Sequence, residues 1–328
     1  MIDLYPWQQT LYQKILDTFL QGRGHHALLF KTETGIGAEA LLQQLAAWLL
    51  CQKPQANTIC HQCQSCHLFL QHHHPDFYLL QPLETKTIGV EQVREINEKL
   101  YQHSHLGGNK VVWLQGLEKL SEAGANALLK TLEEPVSDCY FLLQTDLAYP
   151  ILPTIYSRCQ SYTLSTPNPQ TSMEWLQQQG LSQTPAQLNT ALRINQFRPL
   201  TTLHFIQQNQ LEKRLHFLRQ FWLFTQKKNL NLLLPHFEME QILTQLDWII
   251  AFLSDALKAR LGINQGWICA DLASGVVKLS QGYHQQKLLR AVEIVQQMRT
   301  DLVNINAVNQ ELILIDGLTK LLMEIFNE

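Results

Sequence analysis

A glycine-bearing turn between an apolar run and a helical pattern constrains the fold of this chain more than any other feature. Residues 28–42 read LLFKTETGIGAEALL. The run HHALLF at 25–30 predicts a short buried strand, and GAEALLQQLAAWLL at 37–50 predicts a helix with a broad apolar face. Gly35 and Gly37 fall at the turn between them. A phosphate-binding loop has this frame: two glycines separated by four residues, then a lysine and a serine or threonine. Its backbone amides cradle phosphates, its lysine reaches the β- and γ-phosphates, and its hydroxyl holds Mg²⁺. Here Thr32 stands at the first glycine, Ala38 at the lysine and Glu39 at the hydroxyl residue. The cation is gone and a carboxylate has arrived. Two like unit charges ~4 Å apart cost roughly 4 kcal/mol at an effective dielectric of about 20. An ordinary strand–turn–helix that uses glycines for tight turning would account for the same residues.

Three more apolar runs follow, DFYLL (76–80), KVVWLQ (110–115) and YFLLQT (140–145), with helical patterns at 90–103 and 121–134 between them. Strands alternating with helices predict an α/β domain, a parallel sheet covered on both faces. A further amphipathic helix is predicted over 1–20, from Trp7, Leu11, Ile15 and Phe19. The helix at 121–134 carries its own punctuation. Ser121 is placed to cap it, Glu122 favours the positive end of its dipole, Ala125, Leu128, Leu129 and Leu132 form one stripe, and Pro135 stops it. ATPases of this class put a carboxylate at the end of a later strand, beside the magnesium. The strand at 110–115 ends instead in Gln115-Gly116, and Glu118 comes too late. Two defects in independent places predict that this chain neither holds nor hydrolyses ATP in its own site. Thr145, where related sites sense the γ-phosphate, then reads as a strand-end threonine.

Four of the seven cysteines crowd together as Cys51, Cys60, Cys63 and Cys66. The spacing C-x8-C-x2-C-x2-C suits a closed tetrahedral zinc site, because two intervening residues let a tight turn aim two sulfurs at one ion. The expected role is structural, with His61 and His67 near but not needed, and with the HHH run at 72–74 read as a solvated helix end. Cys139, Cys159 and Cys269 read as packing residues.

The chain has 328 residues, 45% of them hydrophobic and 16% charged, which suits a folded protein of two or three domains. Net charge is −3, and residues 51–71 carry Lys53 as their sole lysine with no arginine. Neither the whole chain nor the cysteine segment is basic enough for a zinc-dependent nucleic-acid module acting alone. A weak ATPase with an altered loop is the other rival, opposed by Ala38, Glu39, Gln115 and Gly116. No secretory leader is expected from MIDLYPWQQTLYQK, and no apolar run is long enough to span a membrane. A polar, proline-bearing stretch at 165–172 is the best boundary. Short helices are predicted over 173–206, then about five longer amphipathic ones, the last with Leu314, Leu318, Leu321, Leu322 and Ile325 on one face.

Taken in order, YPWQ (5–8), GRGHHALL (22–29), LGGNKVVW (106–113), GANALLKTLEEP (124–135) and Ser157-Arg158-Cys159 resemble the bacterial clamp-loader subunits of the AAA+ class, and among them the member that is not itself an ATPase. The motifs cover residues 1 to about 165; beyond them the likeness rests on length and helical pattern. The resemblance implies an AAA+ (RecA-like) P-loop domain over 1–166 with a zinc module at 51–66, a small helical lid over 167–207 and an all-α C-terminal collar for oligomerisation over 208–328. It implies a cytoplasmic hetero-pentamer with motor subunits (gamma/tau) and a delta subunit, which places the beta sliding clamp on primed DNA for DNA polymerase III. DNA-directed DNA polymerase activity then belongs to the complex. Arg158 would project as a trans arginine finger into the ATP site of the adjacent motor subunit. The same four-cysteine spacing belongs to the family's zinc module.

Overall fold

Which apolar runs become strands is decided by burial on two faces. The computed structural model describes residues 3–82, 87–304 and 310–327. A short 3-10 turn, Pro6–Gln8, leads into α1 (Gln9–Leu20). The chain then passes through β1 (Ala27–Thr32), α2 (Ala38–Leu50), α3 (Gln64–Leu70), β2 (Phe77–Leu80), α4 (Val90–Tyr101), β3 (Lys110–Gln115), α5 (Glu122–Glu133), β4 (Cys139–Asp146), α6 (Pro153–Tyr156) and β5 (Gln160–Leu164). The five strands form one parallel sheet in the order β2-β3-β4-β1-β5. This is the α/β class that the alternation predicts.

Side chains on a strand point alternately to opposite faces. Leu28 and Phe30 of β1 join Val111, Trp113 and Leu142 beneath α1 and α2, while Ala27 and Leu29 join Val112, Leu114, Phe141 and Leu143 beneath α4 and α5. Strands buried on both faces read as unbroken apolar runs. At the sheet edge, β5 buries Tyr162 and Leu164 on one face but exposes Ser161 and Thr163, so no such run announces it. In α1 the buried stripe is Tyr12, Ile15 and Leu16, with Leu11 and Phe19 packed against it and Trp7 half-buried in the turn before.

Helix α5 forms as its sequence dictates. The Ser121 hydroxyl accepts a hydrogen bond from the Gly124 N–H at 3.1 Å, and Ala125, Leu128 and Leu132 are buried. Each such leucine stabilises the packing by about 1.5–3 kcal/mol. At the other end of α4, the ammonium of buried Lys110 donates to the backbone carbonyls of Leu100 and Gln102, closing that helix's last turn.

The chain divides into two compact units, Met1–Thr171 and Ser172–Glu328. The second is helical: α7 (Pro169–Gln177, on which the division falls), α8 (Pro185–Ile194), α9 (Pro199–Gln207), α10 (Gln210–Lys227), α11 (Ile242–Arg260), α12 (Ala273–Gly282), α13 (Gln285–Asn304) and α14 (Gln310–Lys320). One apolar cluster runs through it, from Leu188 in α8 to Phe326. After α14 the helix widens into a π-turn, Leu321–Phe326, which buries Ile325 and Phe326. The Phe326 ring packs edge-on against Phe221, Phe224 and Tyr283. Leu314, Leu318, Leu321 and Ile325 share the buried face, with Leu322 at its margin. Among the described residues no helix is long and apolar enough to cross a membrane.

Candidate functional site: a degenerate phosphate loop, a half-buried arginine and a four-cysteine centre

The loop joining β1 to α2 takes the conformation its glycines permit. Gly35 and Gly37 have φ of 88° and 76°, a region that a Cβ disfavours, and Gly37 caps α2. Two carbonyls of this loop are held by the N-terminal turn. The Trp7 indole donates to Ile36 O at 2.9 Å, and the Gln8 amide donates to Gly37 O at 2.6 Å and to Ile36 O at 3.2 Å. Ala38, at the lysine position, is buried.

Glu39 lies in the first turn of α2, where the helix dipole favours a carboxylate. Its Oε1 accepts from the amide of Gln144 at 3.2 Å, and Gln144 Oε1 in turn accepts from the Trp113 indole at 3.2 Å. The same carboxylate, after burial, raises the pKa of the Tyr5 phenol, which stacks on Trp7 at 5.0 Å. A second carboxylate reaches the same edge of the sheet. β3 ends at Gln115, Gly116 turns the backbone at φ 86°, and Glu118 then folds back. Its Oε2 accepts from the Thr145 hydroxyl at 3.2 Å and from the Asp146 N–H at 3.3 Å. Thr32, at the end of β1, donates to Thr145 O at 3.4 Å. So the C-terminal edge of the sheet collects Glu39 and Glu118 where a triphosphate would bring negative charge.

Arg158 stands elsewhere. It follows the short α6 and precedes β5, whose Gln160 pairs in register with Leu28 of β1. The arginine therefore sits at the N-terminal edge of the sheet, and the glycine loop at the opposite edge, one strand length away, roughly 16 Å. The side chain is 33% exposed. Its Nη2 pairs with Glu133 Oε1 at 2.5 Å, and Nη1 donates to Thr154 O at 2.8 Å and to Ser157 Oγ at 3.3 Å. Beside it the Cys159 thiol is pushed up to about 12 by burial and stays neutral.

The four cysteines converge. Cys51 ends α2, Cys60 lies in the following loop, and Cys63 caps α3, whose Cys66 N–H donates to the Cys63 sulfur at 3.4 Å. All four sulfurs lie within 4.8 Å of one another, with Cys51–Cys66, Cys60–Cys66 and Cys51–Cys63 separated by 3.5, 3.8 and 4.0 Å. Tetrahedral thiolates at about 2.3 Å from one ion would be about 3.8 Å apart, so the donor set fits such a metal. The backbone N–H groups of Cys60 and Cys63 donate to the sulfurs of Cys51 and Cys60, each at 3.4 Å. Hydrogen bonds from Gln62 and Cys63 lower the Cys60 pKa to about 6, whereas burial raises those of Cys51 and Cys66. The centre sits at the far end of α2 from the glycine loop.

Two expectations need correction. Within the HHH run, His72 and His73 are exposed, but His74 is buried, its Nε2 at 2.7 Å from Ser65 Oγ and its Nδ1 accepting from the Asp76 N–H at 3.1 Å. The ring ties α3 to the start of β2 and is not a solvated end. Glu118, placed too late in sequence to serve a metal, is nonetheless brought to the strand ends by Gly116. Glu133, Gln144, Trp7 and Gln8 carry no local sign of their contacts. Glu133 stands inside the GANALLKTLEEP motif, and Trp7 and Gln8 stand inside YPWQ, but neither motif names a contact.

A family model described as DNA polymerase III, delta subunit, matches residues 7–168, and one described as DNA polymerase III, delta subunit, C terminal, matches residues 208–322. The chain is 48% identical over 326 residues to DNA polymerase III subunit delta' of Haemophilus influenzae, covering 99% of each protein. It is 35% identical over 318 residues to the Escherichia coli K12 protein of the same name, covering 97% of this chain and 95% of that one. The Yersinia pestis protein of that name is also 35% identical, over 319 residues.

Proposed function

The chain belongs to the family of DNA polymerase III delta' subunits, and from that membership we propose how it works inside the clamp loader. It is a clamp-loader subunit of DNA polymerase III that does not split ATP itself, and it completes the ATP site of a neighbouring motor subunit with Arg158. In the assembly we propose, gamma/tau motor subunits and a delta subunit form a hetero-pentamer with this chain in the cytoplasm, and together they place the beta sliding clamp on primed DNA.

One observation carries the proposal: the phosphate-loop remnant and Arg158 lie on opposite edges of one sheet. Arg158 cannot serve its own loop, where Ala38 stands in place of a cation, and the strand ends on that loop's edge of the sheet carry two carboxylates, Glu39 and Glu118. A guanidinium is always charged and presents a planar fork of donors, suited to charge developing on a γ-phosphate. Glu133, the residue Arg158 now pairs with, is itself exposed, so the guanidinium can leave it at small cost.

We assign zinc to Cys51, Cys60, Cys63 and Cys66 as a structural ion, four thiolates leaving no open position for catalysis. The helices over 167–207 act as a lid and those over 208–328 as the collar that holds the complex together.

The test replaces Arg158 with alanine and reconstitutes the complex. Arginine fingers supplied in trans elsewhere are worth about 10³–10⁵ in rate. Because one ATP site among several loses its finger, clamp-stimulated ATP turnover should fall only in part, while clamp loading falls by about tenfold or more. Assembly and folding should be unchanged. Wild-type turnover and loading by the Arg158→Ala complex would remove the assignment, as would ATP hydrolysis by the lone wild-type chain.

A further inference from the structure

Helices α10, α11 and α12 leave an open groove of about 410 Å³ between them. Leu218 and Phe252 are buried beneath it, and Trp222, Leu223 and Leu272 line it. On α12, Gly275 contributes no side chain, and a Cβ there would lie 3.3 Å from the Phe252 ring. The groove is preformed. The segment leading into α12 is anchored from within, because Asp255 Oδ2 accepts from the Cys269 N–H at 2.7 Å and Asp271 Oδ2 accepts from Arg214 Nη1 at 2.8 Å. Arg214 is fully buried, one helical turn before Leu218 and two before Trp222 on the same row of α10. A buried ion pair adds little net stability, since desolvation offsets its attraction, but this one fixes the wall that carries Leu272.

Two cations edge the groove. Arg219 on α10 and Lys278 on α12 are both exposed, and among the described residues neither makes a hydrogen bond or an ion pair. Among the described residues no carboxylate lines the groove. An apolar trough with an aromatic wall and unpaired cations at its rim has the chemistry of helix-in-groove recognition. Its charge selects an acidic partner over a basic one.

We infer that this groove receives an acidic, apolar-striped helix of another clamp-loader subunit. The partner's bulky apolar residues seat on Phe252 and Trp222, and its carboxylates pair with Arg219 and Lys278. The inference rests on the proposed membership of the complex. A groove already held open loses little entropy when it is filled, which favours binding.

The experiment uses the full-length chain with Arg219→Glu and Lys278→Glu together, mixed with wild-type partner subunits. Both side chains are exposed and unpaired, so circular dichroism and melting should match wild type. Affinity for the complex should fall by about tenfold or more, and wild-type affinity should weaken as salt rises. A photo-crosslinking residue in place of Leu223 should capture a partner-subunit peptide rich in Asp and Glu. Wild-type affinity of the charge-reversed chain overturns the groove assignment alone, as does capture of a basic segment or of a second copy of this chain. Failure of the wild-type chain to join the complex overturns the assembly proposal and this inference with it.

Discussion

Arg158 is held by an anion that belongs to its own chain, and under the proposed trans role that pair would set a competition. Glu133 Oε1 lies 2.5 Å from the guanidinium, with the two side chains 49% and 33% exposed. A pair this exposed is worth about 0–1 kcal/mol. If Arg158 must leave Glu133 to meet a neighbour's phosphate, the pair raises the ATP concentration needed by up to about fivefold. Replacing Glu133 with glutamine keeps the shape and removes the charge. In the reconstituted complex, Glu133→Gln should lower the KM for ATP by about two- to fivefold with little change in kcat. Steady-state turnover measured against ATP concentration reads this directly. A raised KM would mean that Glu133 aims the guanidinium instead of withholding it. The contrast with Arg158→Ala is informative because the two substitutions act in opposite directions on one contact.

At the scale of elements, legibility in the sequence follows how local the physics is. The convergence of the four cysteines was legible because it is set by spacing: two residues between Cys60 and Cys63, and two between Cys63 and Cys66, are enough to turn sulfurs toward one point. Strands β1, β3 and β4 were legible because burial on both faces writes an unbroken apolar run. Strand β5 was not, because its Ser161 and Thr163 face outward and its identity depends on pairing with β1. Glu118 and His74 were misplaced for the same reason, since their partners Thr145 and Ser65 lie 27 and 9 residues away along the chain. The missing lysine and the arrived carboxylate at Ala38 and Glu39 were plain from position, yet the Gln144 and Trp113 contacts that hold Glu39 were not. The cysteine centre also sets the fate of its segment. The stretch between Cys51 and α3 has little core beyond Ile59, so the zinc proposed here would supply much of its folding free energy, on the order of 10 kcal/mol in small zinc peptides. If zinc is held there as proposed, metal analysis should find about one zinc per wild-type chain and a loss in Cys63→Ser, with raised amide exchange over 51–71 while the sheet stays protected. Full zinc content with unchanged exchange in that variant would rule out the structural centre.

At the scale of the whole molecule, the proposed roles fall in different compact units. Arg158, the loop remnant and the cysteine centre all lie in Met1–Thr171, whereas α10 to α14 and the groove between α10, α11 and α12 lie in Ser172–Glu328. Each unit has apolar clusters of its own: those around the sheet draw on residues before 171, and that of the helical unit draws on residues after it. A domain with its own core can fold alone. A fragment 167–328, which keeps α7 whole, should therefore fold cooperatively with the helical signature of the intact chain's second unit. If assembly runs through the collar helices, this fragment should also enter the complex and exclude the full-length chain from it. The resulting assembly would contain every motor subunit but no Arg158. Its clamp-loading rate should match that of the Arg158→Ala complex, since both lack the same guanidinium at the same neighbouring site. Native mass spectrometry of the mixture, followed by a loading assay, checks both halves. Entry without loading places assembly in the helices and chemistry in the sheet unit. A folded fragment that fails to enter would show that the sheet unit carries binding contacts the complex cannot do without, and the collar assignment would fall.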